Sequence, residues 1–80
     1  MNNNRQRLYR RLLHESLRDA RIKAGLRQED VALRLGLPQS FVSKYETGER
    51  QLDLADLKDI CEALGISLLD LVRKIEESVQ

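Results

Sequence analysis

An all-α fold is predicted by three features of the chain. Its hydrophobic residues, 41% of the total, are mostly Leu, Ile, Val and Ala, with few aromatics and no Trp, which suits helices better than a β-sandwich. Those residues recur three and four apart, the spacing that gathers one face of a helix. Four glycines, Gly25, Gly36, Gly48 and Gly65, divide the pattern into segments of helical length. Eighty residues allow one domain, residues 1–80, and its core must be efficient because a short chain buries a smaller fraction of its surface.

Met1 to Asn4 is polar and expected to fray, with Asn4 able to cap the helix that follows. From Arg5 to Ala24 nothing breaks a helix. Tyr9, Leu12, Leu13, Leu17, Ala20 and Ala24 follow helical spacing, giving one long first helix of about five turns. Gly25 closes it and Leu26 enters the core. Residues 28–47 read as two short helices, the first with Val31, Ala32 and Leu35 inward, the second with Val42 inward and Tyr45 and Glu46 flanking it. Gly36 between them tolerates the left-handed conformation that turns the chain, and Pro38 suits the first position of a helix, where its missing N–H would be unpaired. Gly48 ends the third helix. Asp53 caps a fourth, with an apolar stripe of Leu54, Leu57, Cys61 and Leu64, and Gly65 stops it. Ser67 caps a fifth helix, residues 67–79, with Asp70 three residues on as an acidic variant of the capping box.

The outward face of the third helix is unusual for a solvated surface. Ser40, Ser43, Lys44 and Thr47 occupy it, with Gln39 and Phe41 at its edges, where propensity alone would favour Glu, Lys, Arg and Ala. Small hydroxyls permit close approach of another surface, while Gln pairs bidentately with adenine and Lys donates to guanine in a major groove. From chemistry alone, nucleic-acid binding and a merely solvated face both stand. Phe41 fits either a thymine methyl or packing against a neighbouring helix or partner. Net charge is only +1, but residues 1–27 carry +6, residues 28–50 carry −1 and residues 51–80 carry −4. A basic end can meet phosphates while an acidic end stays away from them.

Residues 17–71 carry an ordered signature: Leu17, Arg21, Gly25, Leu26, Gln28, Ala32, Leu35, Gly36, Gln39, Ser40, Val42, Ser43, Glu46, Gly48, Leu57, Ala63, Leu64 and Gly65. In this the chain resembles the lambda-repressor-like, Cro and XRE-type, helix-turn-helix domain of prokaryotic and phage transcriptional regulators. The resemblance implies a five-helix domain whose helix-turn-helix unit is residues 28–47, used as a dimer on a palindromic site of double-stranded DNA. Relatives commonly begin near Leu17, so residues 1–16 are a helical extension of the first helix.

The same resemblance puts Gln39 at a base and Gln28 near a phosphate, and on the leading reading Gln39, Ser40, Ser43 and Lys44 read bases while Gln28, Thr47, Arg50 and Arg27 hold phosphates. Gln28 and Gln39 touch each other, and Arg21 and Glu46 form an internal ion pair between the first and third helices. Two positions depart from the pattern. Many relatives have a Thr or Ser cap where this chain has Arg27, which cannot accept that bond, and often a Ser or Thr where Pro38 stands. Glu29 and Asp30 near the helix start offset part of the first loss, and Arg27 is shifted toward phosphate.

Leu68, Leu69, Leu71, Val72, Ile75 and Val79 give the fifth helix more apolar surface than one contact needs, and the extension adds Leu8, Tyr9, Leu12 and Leu13. The surplus suggests a homodimer seam built from either element or both, the alternative being that the two cover each other within one chain. A dimeric repressor leads the functional readings. An antitoxin or restriction-modification controller of the same fold, or a protein-interaction module without specific DNA recognition, are the alternatives. No phosphate loop and no constellation of His, Cys and carboxylate argues for an enzyme, and no metal or cofactor is expected. His14 has no second His or nearby Cys, and Cys61 reads as a buried thiol in its reduced form. The polar start and the lack of a long apolar run point to the cytoplasm rather than a membrane.

Overall fold

Apolar residues at helical spacing, interrupted by left-handed glycines, set the architecture. A computed structural model describes residues 3–79, which form α1 (Asn3–Lys23), α2 (Gln28–Leu35), α3 (Gln39–Thr47), α4 (Leu54–Leu64) and α5 (Leu68–Val79), with no strand among them. Of the fraying expected from Met1 to Asn4, Asn3 and Asn4 instead begin α1, and Met1 and Asn2 fall outside the described residues. Asn4 lies within α1 rather than capping it.

The 21 residues of α1 span about 31 Å at 1.5 Å per residue, most of the molecule's longest dimension of 37 Å. Both α3 and α5 pack against it, while α2 bridges α3 and α4. Every helix contributes to one core. Leu17 of α1, Val31 of α2, Val42 and Tyr45 of α3 and Ile60 of α4 are fully buried, and Leu71 and Ile75 of α5 close the cluster. Each such side chain contributes roughly 1.5–3 kcal/mol through burial, which is what holds helices as short as α2 and α3, too short to persist alone.

The structure corrects three further expectations. Leu54 lies 70% exposed and Ile60 takes its place, so the buried face of α4 is Ile60, Cys61, Ala63 and Leu64, with Leu57 partly buried. Leu54 is the first residue of its helix, and Leu52 of the preceding loop packs on the core instead. Tyr45 sits in the core with Val42, its hydroxyl without a partner among the described residues, and burial raises its pKa. Pro38 is the N-cap of α3, with an extended ψ of 151°, one position before the helix proper. Ala24 is exposed past the end of α1.

The extension is covered by its own chain. Tyr9, Leu12 and Leu13 pack against the core, and the Tyr9 hydroxyl donates to Glu76 of α5 at 3.4 Å. Leu69, Val72 and Val79 of α5 remain exposed.

Capping fixes where the scaffold helices begin. Asp53 Oδ1 accepts the Asp56 N–H at 2.8 Å, and Asp56 Oδ2 accepts the Asp53 N–H at 3.2 Å, a reciprocal box. Ser67 Oγ accepts the Asp70 N–H at 3.3 Å. Arg34 of α2 donates to the Ala63 carbonyl at 2.8 Å, tying α2 to the C-terminal turn of α4 and satisfying a carbonyl the helix leaves open.

Candidate nucleic-acid interface

The α2–turn–α3 unit is held by a chain of polar contacts that begins in α1. Arg21 Nε donates to Glu46 Oε2 at 2.7 Å and Arg21 Nη2 to Glu46 Oε1 at 3.0 Å, a bidentate pair with side chains only 12% and 3% exposed. The side-chain hydrogen bond to Glu46 raises the Arg21 pKa, so the guanidinium stays charged. Arg21 Nη1 also donates to the Leu26 carbonyl at 2.9 Å, which pins the α1–α2 turn. From Glu46 the chain runs outward: Gln28 Nε2 donates to Glu46 Oε1 at 3.0 Å, and Gln39 Nε2 donates to Gln28 Oε1 at 3.4 Å. One rigid ion pair thus orients, in two steps, the amide at the start of α3.

Beyond Gln39 the outward face of α3 is low and polar. Gln39, Ser40, Lys44 and Thr47 are exposed and Ser43 is half-buried. Ser43 Oγ donates to the Ser40 carbonyl at 3.3 Å and Thr47 Oγ1 to the Lys44 carbonyl at 3.1 Å, so both hydroxyl protons are turned back on the helix and the oxygens face out as acceptors. Lys44 projects from this surface as a cation with no salt bridge among the described residues.

Phe41 is placed by two contacts. Its ring meets Tyr45 edge-on, with centroids 5.7 Å apart at 75°, and the Arg50 guanidinium lies over it at 4.7 Å. Phe41 is therefore a platform. A stacked guanidinium keeps its N–H edge free for an anion, and the Arg50 backbone N–H is fixed on the Lys44 carbonyl at 3.1 Å. Sequence reasoning missed this pairing, for which the only signal was a large apolar side chain on a polar face with an arginine nine residues on. It also missed the Gln28–Glu46 bond that joins the expected ion pair to the expected amide contact.

Arg27, expected at a phosphate, folds onto the start of its own helix while its side chain stays 73% exposed. Its Nη1 lies 2.7 Å from Glu29, and Nε and Nη2 donate to Asp30 at 3.2 Å each. The Asp30 carboxylate also accepts the Arg27 backbone N–H at 2.8 Å, which supplies the carboxylate half of a capping box and needs no hydroxyl at Arg27. Two carboxylates engage the cation that was assigned to phosphate.

The helix-turn-helix family model matches residues 17–71, more than half of the chain. The chain belongs to the Cro/XRE-type helix-turn-helix family. It is similar to an XRE-family-like protein of Pseudomonas syringae pv. tomato, with 41% identity, 95% of this chain and 92% of that one covered, and a TM-score of 0.84. It is 33% identical over 69 residues to the uncharacterized HTH-type transcriptional regulator y4dJ of Sinorhizobium fredii, covering 86% of this chain and 90% of the relative. The restriction-modification controller protein C.AhdI of Aeromonas hydrophila is 33% identical, with 75% of this chain and 91% of that one covered and a TM-score of 0.70. As a helix-turn-helix protein of this type the chain is a DNA-binding transcription regulator and not an enzyme, and its five helices are those of the family's domain. Among the described residues no helix is long and apolar enough to cross a membrane.

Proposed function

We propose that this regulator is a sequence-specific repressor that binds a palindromic operator as a homodimer, with α3 in the major groove. The observation that carries the reading is the chain Arg21–Glu46–Gln28–Gln39, which fixes the recognition helix while leaving its small polar face free. Gln39, Ser40, Ser43 and Lys44 read base edges. Gln28, Thr47, Arg50 and Arg27 hold phosphates, the exposed Arg27 side chain competing for that role with its pairs to Glu29 and Asp30. Phosphate contacts set register and base contacts set sequence. The exposed apolar strip of α5 supports the dimer, and DNA binding places the protein in the cytoplasm, at the nucleoid.

Selection of duplexes from a random library at physiological salt tests this. The expected result is an inverted repeat with half-sites about one helical turn apart. Lys44→Ala should then relax preference at one base pair by about 1–3 kcal/mol, whereas Arg50→Ala should weaken all duplexes alike and reduce the salt slope by about 1. Equal losses on operator and random duplex for Lys44→Ala would contradict its assignment. The likeness to C.AhdI favours, as a second reading, a controller of a restriction-modification system; its test is whether the selected operator lies upstream of such genes.

A further inference from the structure

We propose that Arg7, Arg10 and Arg11 of α1 form a second phosphate-binding surface that continues the DNA-contacting face past the end of α3 and grips backbone outside the half-site read by α3. The inference rests on the DNA-binding reading above and adds a contact surface to it.

Four observations place it. Arg7, Arg10, Arg11 and His14 stand three and four apart, so they share one face of α1. That face forms a groove with the end of α3, whose other wall is Thr47, Gly48 and Gln51. Helix α3 comes close at Gly48, where a Cβ would lie 3.4 Å from His14 Cδ2. Thr47, a phosphate candidate in its own right, and the arginines therefore line the same groove. The helix rise then carries Arg7 about 10 Å beyond His14, on the order of three base-pair steps at 3.4 Å each.

The charge of the groove is unbalanced. The three arginines are exposed, and none has a salt bridge among the described residues. Glu15 is the one acid on this stretch of α1 that lines the groove, and Glu46 is already engaged by Arg21 and Gln28. A cation-rich row continuous with Thr47 and close to the Arg50 loop matches a phosphate strand that runs on past the recognition helix. The arginines also share this groove with the C-terminal end of α3, where positive charge is favourable. That structural role alone would lower the melting temperature on removal and leave the salt dependence of binding untouched.

The test measures Kd against salt for the full chain and for its Arg7→Ala, Arg10→Ala, Arg11→Ala triple variant, on the selected operator, on the operator trimmed to its half-sites, and on random duplex. Three lost phosphate contacts should make the log–log slope shallower by about 2–3 per protomer. The loss should be equal on operator and random duplex, base preference should be unchanged, and the advantage of flanked over trimmed operator should vanish. The triple Arg→Lys variant should restore the slope. An unchanged slope and flank advantage in a variant that melts like wild type overturns the proposal while leaving the operator reading intact. Wild-type protein that enriches no sequence overturns that reading, yet the random-duplex arm still decides the arginine surface. Wild type that retains no DNA at all overturns both.

Discussion

At the scale of single residues, Glu46 ties more of the helix-turn-helix unit together than any side chain proposed to read bases. Its two carboxylate oxygens take three hydrogen bonds, two from Arg21 and one from Gln28. Removing it would leave a largely buried guanidinium without its counter-charge and the Gln28 amide without an acceptor. Glu46→Ala should therefore cost about 3–5 kcal/mol, read as a shift in denaturant midpoint, and a variant that melts like wild type would sink the idea. Much of this was legible, because Arg21, Gln28, Gln39 and Glu46 each stand at a position of the family's pattern. Their linkage into one path was not, since a signature gives positions and says nothing of which amide reaches which oxygen. The pairing of Arg27 was not legible for a related reason: which carboxylates an arginine at a helix start folds onto, here Glu29 and Asp30, depends on its rotamer and not on a signature position.

At the scale of helices, the chain treats its scaffold and its reading unit differently. The starts of α4 and α5 carry side-chain caps from Asp53 and Ser67, whereas Arg27 and Pro38, at the starts of α2 and α3, make none. Caps from the N-cap side chain itself are thus confined to α4 and α5, while the start of α2 relies on the Asp30 carboxylate. Asp53→Ala should cost about 1 kcal/mol, within the 0.5–2 kcal/mol range for such caps, while Asp53→Asn should keep most of it. Thermal melts of the two variants check this, and equal losses would mean that the carboxylate acts by charge rather than as an acceptor. Helix boundaries were readable because caps and left-handed glycines are local: Gly36, at φ +69, ends α2 for reasons held within a few residues. The buried face of α4 was not local. Leu54, Leu57, Cys61 and Leu64 form as good a helical row as the set containing Ile60, and the choice was made by α2 and the loop residue Leu52 packing on one side of it.

At the scale of the whole molecule, the unresolved choice in the sequence was what covers the surplus apolar surface at the two ends of the chain. Half of it is covered internally, since Tyr9, Leu12 and Leu13 of the extension lie on the core. The other half stays open: Leu69 is 74% exposed, with Val72 and Val79 beside it along α5. At 100° per residue Val79, Val72 and Leu69 fall on one flank of the helix, next to the flank of Leu71 and Ile75 that faces the core. A second copy of the chain brings an identical strip, and a two-fold axis would set the two against each other as a self-complementary seam. Dimerisation makes stability depend on concentration, so the melting temperature should rise as protein concentration is raised. Leu69→Glu with Val72→Glu changes only side chains exposed in the protomer, and should give a helical, folded monomer by sedimentation. That monomer should bind an isolated half-site about as well as wild type but lose the gain of about two to four orders of magnitude that linking two half-sites provides. A double variant that still sediments as a dimer would move the seam off α5. Wild type that stays monomeric at high concentration would remove the palindromic-operator reading along with it.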